Sequence, residues 1–215
     1  MIQAIIFDVD GVLLDTVSYH FKAWEKVFTE EGIFFSFEDY LQKVNGLPRT
    51  SGIKNMLLSR DGAKIKDIAE RKQKYYLGMV EKNPPSPLPG VINLLQQLKQ
   101  RNIILAAASS SKNAPFLLEK AKLAIFFQTI IGGNDFKKSK PDPDIFLTAS
   151  KKLNKDPFSC AVVEDAALGL EAAKNANMKA IGMFTSNDLG IYSIADIVFT
   201  SFEKDSDIIK FVLNN

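Results

Sequence analysis

Two aspartates stand close together near the start of the chain, in the stretch FDVDG at residues 7–11. Because side chains alternate faces along a strand, Asp8 and Asp10 share one face. Neighbouring carboxylates repel each other, so the pair predicts a positive partner, such as a metal ion. A solvated turn at the end of a strand is the alternative interpretation of DVDG taken alone.

Other groups that could act with these acids come later in the chain. Ser109 lies in AAASSSKN, Lys140 in SKPDPD, and Glu164 with Asp165 in VVEDA. Each alone has an ordinary explanation as a helix cap, a surface lysine or a solvent-exposed strand end. Together they supply acids, a cation, and a hydroxyl beside backbone N–H groups. This set suits phosphoryl transfer, in which Mg²⁺ and lysine neutralise phosphate charge and N–H groups hold phosphate oxygens.

The nucleophile for such a reaction is expected to be a carboxylate. The chain has one histidine, His20, and one cysteine, Cys160. A single cysteine excludes an intrachain disulfide, and its place at the start of the apolar run CAVV predicts a buried, inert thiol. Without a Ser-His pair or a reactive thiol, an aspartate is the available nucleophile.

The elements that must position these residues form an alternating pattern from residue 88 onward. Continuous apolar runs separated by helices indicate a parallel sheet that is buried on both faces. In such a sheet, ligands bind beyond the carboxyl ends of the strands, where the strand order reverses. The acids, Ser109 and Lys140 all follow predicted strand ends. Strands are predicted at residues 2–9, 103–108, 129–132, 160–163, 179–184 and 197–200, and helices at 113–123, 144–153 and 169–175.

The segment between the first two strands differs from the rest. Helical spacing of apolar residues begins with Val17, Phe21, Trp24 and Phe28, and further helices are predicted at 37–44, 51–58 and from Ile65 to Met79. The proline-rich stretch at 83–90 then gives an extended connection. The predicted organisation is an α/β core, residues 1–15 and 84–215, with a helical domain inserted at 16–83.

Composition excludes several classes of protein. The chain has 215 residues, 46% hydrophobic and 24% charged, with a net charge of +2. Its basic residues are dispersed, which argues against a nucleic-acid partner. The sequence has no apolar run long enough for a membrane span and no pattern of a signal peptide. A cytoplasmic protein with no membrane partner is expected.

The ordered motifs resemble those of the haloacid dehalogenase superfamily of phosphotransferases. DVDGV at 8–12, SSSK at 109–112, KPDPD at 140–144 and VVED at 162–165 stand in the family's order, and the resemblance covers essentially the whole chain. It implies the superfamily's Rossmann-like fold, and the helical insert is similar to its small α-helical cap. Within the superfamily the chain is closer to the β-phosphoglucomutases. The stretches that carry this closer resemblance are DTVSYHFKAW at 15–24, NGLPRTSG at 45–52, RKQKYY at 71–76, ASSSKNAPFLLEK at 108–120 and KPDPDIFL at 140–147.

The resemblance implies a mechanism. Asp8 would become an aspartyl phosphate, and Asp10 would act as general acid and base. One Mg²⁺ per chain would be held by the Asp8 carboxylate, the Asp10 carbonyl and Asp165, with Glu164 as a ligand or close by. The reaction would interconvert β-glucose 1-phosphate and glucose 6-phosphate, with glucose 1,6-bisphosphate as priming donor and intermediate. Asp8 should stay ionised, favoured by the metal and a lysine.

The resemblance also implies a set of substrate-binding residues. His20 would hold Asp10 in its working position when the cap closes and excludes water. Lys72 interrupts an apolar stripe, so it either extends harmlessly to solvent or contacts substrate. Arg49 suits the non-transferring phosphate. The implied substrate and phosphate ligands are Thr16, His20, Trp24, Gly46, Arg49, Lys72, Ser109, Ser110, Lys112, Asn113 and Lys140.

Three positions depart from the mutase pattern, and two other functions stay open. Asn45 and Pro48 stand where the family usually has a basic residue and a serine, and Ala166 stands where a serine is usual. A phosphatase of the same fold, in which water discharges the aspartyl phosphate, is the alternative function. A non-catalytic sugar-phosphate-binding protein is disfavoured by the complete acid and lysine set. A monomer is expected, since the cap must open and close.

Overall fold

A computed structural model describes residues 1–45, 47–57, 61–184, 193–204 and 206–215. The chain divides into two compact units. The core unit comprises Met1–Asp15 and Ser86–Asn215, and the cap unit comprises Thr16–Pro85.

The core unit is built on a six-stranded sheet in which every neighbouring pair of strands is parallel. The strand order is β3-β2-β1-β4-β5-β6. This arrangement confirms the predicted α/β class. The strands are β1 Ala4–Phe7, β2 Ile104–Ala108, β3 Thr129–Ile131, β4 Cys160–Glu164, β5 Lys179–Met183 and β6 Ile197–Phe199.

The order of the strands reverses between β1 and β4. From β1 the chain continues to β2 and β3 on one side, then returns to β4 on the other. Phe7 pairs with Ala107 on β2 and with Val163 on β4, so these three strands end almost level. The residues that follow them therefore meet at the switch point, where ligands bind in open α/β sheets.

Helices cover both faces of the sheet. Ile5 and Ile6 point to opposite faces of β1 because side chains alternate, and both are fully buried. This explains why the strands are continuously apolar rather than alternating. The core helices are α5 Val91–Gln100, α6 Ala114–Lys120, α7 Asp144–Leu153, α8 Ala167–Asn175 and α9 Ser206–Asn214.

The cap unit is entirely helical in its described part. Its helices are α1 Val17–Glu30, α2 Phe37–Asp39, a π-helical turn Tyr40–Val44, α3 Arg49–Met56 and α4 Gly62–Lys82. Aromatic and aliphatic side chains of α1 and α4, such as Trp24, Phe28 and Ile68, share one buried cluster. At the surface, Arg71 on α4 forms ion pairs with Glu30 and Glu31, which tie the two long helices together.

Several predicted element ends differ from the observed ones by a few residues. The helix predicted at 113–123 ends at Lys120 because Lys122 adopts a left-handed conformation, with φ 58°. The helix predicted at 51–58 begins earlier, at Arg49, directly after Pro48. Proline suits this boundary because its fixed φ and missing N–H are tolerated at a helix start. Leu58 lies outside the described residues.

Two further sequence expectations concern burial and membranes. Cys160, the first residue of β4, is fully buried, and burial raises the pKa of its thiol to about 11. The predicted inert thiol agrees with this environment. Within the described ranges, none of the helices combines the length and the apolar character that a bilayer span needs.

Candidate active site

Asp8 directly follows β1 and is buried at the switch point of the sheet. Its backbone N–H donates to the Val163 carbonyl on β4 at 2.9 Å, and the residue is only 6% exposed. Carboxylate atom Oδ2 accepts the backbone N–H of Asp10 at 3.0 Å. The local chain fold thus fixes the Asp8 carboxylate at the edge of the sheet.

Lys140 joins two acids that come from different strands. Its ammonium lies 2.6 Å from Asp8 Oδ1 and also donates to Glu164 Oε1. Glu164 is 1% exposed, and its second oxygen accepts the backbone N–H groups of Asp165 and Ala166 at 3.2 Å each. Both Glu164 oxygens are therefore engaged, and this carboxylate holds the lysine against Asp8.

The loop that presents Lys140 is held by side chains on two helices. Asp144, at the start of α7, accepts the backbone N–H groups of Lys137 at 2.7 Å and Lys138 at 3.1 Å. Asn175, at the end of α8, donates to the Pro141 carbonyl at 3.0 Å. These bonds flank Lys140 on both sides, so its backbone is anchored before its side chain reaches Asp8.

Ser109 connects the second strand to the second aspartate. It follows β2, is 2% exposed, and its hydroxyl donates to Asp10 Oδ2 at 3.0 Å. The Ser109 hydroxyl oxygen also accepts the Ser111 N–H at 2.9 Å. The predicted ligands Ser110, Lys112 and Asn113 lie in the same loop, between Ser109 and α6.

Burial strongly affects the ionisation of Asp8 and Lys140. It raises the pKa of Asp8 well above its usual value, against the lowering effect of Lys140, and the Glu164, Asp10 and Asp165 carboxylates raise it further. For Lys140, burial alone would lower the pKa, but Asp8 and Glu164 raise it overall. The sequence predicts that a metal ion and a lysine together keep Asp8 ionised. In the structure, the lowering effect of Lys140 on the Asp8 pKa is smaller than the raising effect of burial.

The carboxylates fit a hard cation with few protein ligands. Burial and the Glu164 carboxylate raise the pKa of Asp165 to about 8, so a cation beside Asp165 would relieve an unfavourable charge. No group of three or more His, Cys, Asp or Glu side chains suited to a metal occurs among the described residues. Mg²⁺ characteristically takes only one or two protein carboxylates and keeps several waters. Asp8 and Asp165 fit that requirement, whereas the engaged oxygens of Glu164 favour a supporting role.

These pKa shifts predict that the metal-free protein loses stability as pH rises. A carboxyl whose pKa is raised in the folded state binds more protons folded than unfolded, so its stabilising effect is present at low pH. For Asp165 that effect is lost as the pH rises from its ordinary pKa of 3.8 to its raised pKa of about 8, with a limiting slope of about 1.4 kcal/mol per pH unit. Denaturant unfolding in a chelator should give a lower free energy at about pH 7.5 than at about pH 5.

Mg²⁺ provides the control for this pH dependence. Because it binds the ionised carboxylates, it should stabilise the protein more at the higher pH. A free energy of unfolding that is flat or rising across this range in chelator would contradict the assigned burial of the carboxyl groups.

Two glycines that the sequence analysis did not single out shape the site. A Cβ on Gly169, in α8, would collide with the Glu164 carboxylate, and one on Gly133 would collide with the Ser110 carbonyl. A third, Gly11, belongs to the DVDG motif; it has φ +81°, and a Cβ there would collide with Asp165. The isolated glycine inside a helical pattern was the available sequence signal for Gly169.

Replacing Gly169 with Ala is therefore expected to lower activity by about 10- to 100-fold. The added methyl displaces Glu164, which then releases Lys140 from Asp8; one charged hydrogen bond is worth about 1.5–3 kcal/mol. Gly78→Ala in α4 is the matched control, since nothing lies within 4 Å of a Cβ there. That control should gain up to about 1 kcal/mol of helix stability. Steady-state kinetics and thermal unfolding measure both variants, and wild-type activity in Gly169→Ala would contradict the role of Glu164.

The cap unit holds a separate group of predicted residues. Lys72 is 2% exposed, and its ammonium lies 2.8 Å from His20 Nδ1. The ammonium also lies over the rings of Trp24 and Tyr76, at 5.1 and 4.8 Å from their centroids. His20 stacks on Tyr76 with 4.3 Å between ring centroids. Of the two interpretations of Lys72, extension to solvent is wrong, because the side chain is buried among these groups.

Other predicted cap residues occupy the ends of helices. Thr16 is buried, and its carbonyl accepts the His20 N–H at 3.0 Å in the first turn of α1. Arg49 is the first residue of α3; it contacts the Ala69 carbonyl at 3.4 Å, and burial lowers its pKa. Asn45, one of the departures, accepts a hydrogen bond from the Tyr40 hydroxyl at 3.0 Å. Gly46 lies outside the described residues.

Comparisons with known proteins identify the family to which this fold belongs. The model of the haloacid dehalogenase-like hydrolase family matches residues 5–183, and the chain belongs to that family. β-Phosphoglucomutase from Bacillus subtilis strain 168 is 38% identical over 188 residues, covering 84% of this chain and 83% of that protein. A phosphorylated carbohydrates phosphatase from Thermotoga maritima is 32% identical over 189 residues, covering 83% of each.

A solved structure extends the likeness to the whole chain. The crystal structure of β-phosphoglucomutase from Clostridium difficile matches with a TM-score of 0.88 at 32% identity, covering 100% of this chain and 98% of that one. The chain is therefore an enzyme of the haloacid dehalogenase superfamily.

Proposed function

We propose that this protein transfers phosphoryl groups to and from sugar phosphates through Asp8, as a β-phosphoglucomutase. The observation that carries the proposal is the different environment of its two neighbouring acids. Asp8 is bonded to the Lys140 ammonium, whereas Asp10 accepts a hydrogen bond from the neutral Ser109 hydroxyl. A cation beside Asp8 favours the anionic nucleophile, and Asp10, two residues further on, supplies a carboxyl group that can give and take the proton of a sugar oxygen.

The proton and phosphoryl balance follows from these roles. Asp8 attacks phosphorus, and the sugar oxygen leaves as Asp10 protonates it. In the reverse transfer, Asp10 accepts the proton of a sugar hydroxyl as that oxygen attacks the aspartyl phosphate. Starting from β-glucose 1-phosphate, transfer from phosphorylated Asp8 to the 6-hydroxyl gives glucose 1,6-bisphosphate. Return of the 1-phosphoryl group to Asp8 leaves glucose 6-phosphate and restores the phosphoenzyme.

The cofactor we propose is one Mg²⁺ per chain. The Asp8 and Asp165 carboxylates and the Asp10 carbonyl would hold it, with Glu164 supporting Lys140. When bound, it neutralises charge on the transferring phosphoryl group. Glucose 1,6-bisphosphate would serve as the priming phosphodonor.

The similarity to a mutase and the cap residues together favour a mutase over a phosphatase. The identity to the Bacillus mutase is 38%, against 32% for the Thermotoga phosphatase over a similar share of the chain. The phosphatase is the second candidate, because its similarity covers the same region. In the cap, Lys72 and Arg49 supply two cations, which suits a bisphosphate intermediate whose distal phosphate must be bound. Monomeric state and cytoplasmic location stay predictions from the sequence.

The test follows both products in one reaction. Purified protein receives Mg²⁺, β-glucose 1-phosphate and a trace of glucose 1,6-bisphosphate. Glucose 6-phosphate that forms while free phosphate stays low is the expected result for a mutase. Free phosphate that keeps pace with substrate loss would identify a phosphatase, and absence of both products would overturn the sugar assignment.

Replacing His20 with Ala is expected to lower turnover of the sugar phosphate by about 10- to 100-fold. His20 holds the Lys72 ammonium, and a charged hydrogen bond of this kind is worth about 1.5–3 kcal/mol. Ser18→Ala, at an exposed position of the same helix, is the control that should keep full turnover. Kinetics with β-glucose 1-phosphate and thermal unfolding separate a functional loss from a folding defect. Unchanged turnover in His20→Ala would exclude the proposed contact between the cap residues and substrate.

A further inference from the structure

The turn that follows β3 packs directly on the loop that follows β2. Residues 132–135 form this β3 turn, and residues 109–113 form the β2 loop, which holds several of the predicted phosphate ligands. The Gly133 N–H donates to the Ser111 carbonyl at 3.1 Å. A Cβ on Gly133 would collide with the Ser110 carbonyl oxygen, so the missing side chain permits this close backbone approach. The β3 turn therefore supports the backbone of the β2 loop.

Asp135 closes the β3 turn by joining its two ends. Its carboxylate Oδ2 accepts the Gly132 N–H at 2.8 Å, and its own backbone N–H donates to the Gly132 carbonyl at 2.9 Å. The other carboxylate oxygen lies 2.8 Å from the Lys152 ammonium on α7. The hydrogen bonds from Lys152 and from the Gly132 N–H lower the pKa of Asp135 from its ordinary value. The carboxylate is therefore ionised at neutral pH and is a strong acceptor for the turn.

The β2 loop is tied to β3 and to the β3 turn at two points of its backbone. The Ser109 N–H donates to the Ile131 carbonyl at 3.0 Å, and the Ser111 carbonyl accepts the Gly133 N–H. Gly132 lies between these two attachment points. A side chain that fixes Gly132 therefore fixes the backbone that holds the β2 loop in place.

We propose that Asp135 is a positioning residue for phosphoryl binding, acting through the β3 turn on the β2 loop. The inference rests on the proposed transfer to Asp8 and on the binding of phosphate oxygens by the β2 loop, but not on which sugar is the substrate. With the turn closed, the N–H groups of the loop are ordered before a phosphate group arrives. Binding then does not have to supply the cost of ordering them.

Phosphorylation of Asp8 by acetyl phosphate tests the inference, because this reaction needs no sugar. An Asp8 oxygen forms the bond to phosphorus as the bond to the acetate oxygen breaks, and acetate leaves as an anion. Purified protein with Mg²⁺ receives increasing acetyl phosphate, and intact-protein mass spectrometry follows the initial rate. Asp135→Ala should raise the half-saturating concentration about 3- to 10-fold, the scale of one hydrogen bond. The limiting rate should stay within about twofold, because Asp8 and Lys140 are untouched and only uniform binding is lost.

Three further variants separate positioning from a general loss of stability. Asp135→Asn keeps a side-chain oxygen for the Gly132 N–H and should restore most of the wild-type affinity. Gly133→Ala pushes the β3 turn away from the β2 loop and should raise the half-saturating concentration at least as much as Asp135→Ala. Asp39→Ala is the matched control in the cap unit, where Asp39 Oδ2 accepts the N–H of Ser36, three residues earlier, at 3.0 Å, and Oδ1 pairs with a lysine. It should lose stability but keep the wild-type half-saturating concentration.

Amide hydrogen exchange gives a second readout that does not depend on turnover. The peptide that contains the β2 loop should exchange faster in Asp135→Ala than in the wild-type protein, because the loop opens more often when its support is loose. The same peptide should be unchanged in Asp39→Ala.

Each other outcome has a distinct meaning. Wild-type affinity and wild-type exchange in Asp135→Ala would overturn the inference and leave the phosphoryl-transfer proposal standing. An equal loss of affinity in Asp39→Ala would also overturn it, because the effect would then follow from lower stability alone. A wild-type protein that acquires no phosphoryl group from acetyl phosphate would overturn the proposed nucleophile and the inference together.

Discussion

Asp8→Asn is expected to reduce phosphoryl transfer by about 10⁴-fold or more, the scale of loss when a covalent nucleophile is removed. An amide is isosteric with the carboxylate but cannot attack phosphorus. The variant should still fold, because it removes a buried carboxyl whose ionisation is disfavoured by burial and by nearby acids. It also loses one good acceptor for Lys140 or for the Asp10 N–H, at about 1 kcal/mol.

The matched control is an aspartate with the same kinds of partner at another place in the sheet. Asp196 Oδ2 accepts the Ala180 N–H at 2.7 Å and lies 2.9 Å from the Lys174 ammonium. Ala180 is near the amino end of β5, whereas the candidate site follows the carboxyl ends of the strands. Asp196→Asn should therefore keep its turnover while losing some stability.

Intact-protein mass spectrometry after incubation with a phosphodonor gives the decisive measurement. Wild-type and Asp196→Asn proteins should acquire a phosphoryl group, and Asp8→Asn should not. A phosphorylated Asp8→Asn protein would place the nucleophile on another residue.

The convergence of the candidate site residues of the core unit could be predicted, because the carboxyl ends of parallel strands lie at the same edge of a sheet. Residues that follow their carboxyl ends meet at one edge, so Asp8, Lys140 and Glu164 were expected together, and the structure places them in hydrogen-bond contact. The order of the strands could not be predicted in the same way. Continuous apolar runs are alike on both faces, and nothing in them shows that β1 lies between β2 and β4.

Contacts between side chains from distant segments of the chain could not be predicted from the sequence. Gly169 looks like an ordinary helix residue until the Glu164 carboxylate is placed against it. The bond between Ser109 and Asp10 joins residues 99 positions apart, and its existence depends on the pairing of β1 with β2. Periodicity reports which residues are buried, but it does not report which polar partner each one meets.

In the cap unit too, the spacing of apolar residues predicts the helices but not the partners of a buried polar side chain. The spacing of Trp24 and Phe28 predicts a helix, and α1 is present with both residues buried. Lys72 breaks the apolar stripe of α4, and pattern alone allowed either extension to solvent or a functional contact. Its burial against His20 and two aromatic rings excludes extension to solvent, because a buried ammonium requires such partners, and contact with substrate stays a prediction.

Lys140→Met is expected to remove most activity and to lower the free energy of unfolding by about 3–5 kcal/mol near neutral pH. Methionine fills a similar volume, but Asp8 and Glu164 lose their shared cation in a buried place. The loss of stability should shrink as pH falls, because burial raises the pKa of Asp8 and protonation of Asp8 removes its share of the uncompensated charge. Lys152→Met is the control: its partner Asp135 lies 2.8 Å away in an exposed pair, worth about 1 kcal/mol or less. Denaturant unfolding of both variants at about pH 5 and about pH 7.5 makes the comparison. A Lys140→Met protein as stable as Lys152→Met at both pH values would mean that the carboxylates do not depend on this lysine for their charge, and the nucleophile would need another source of activation.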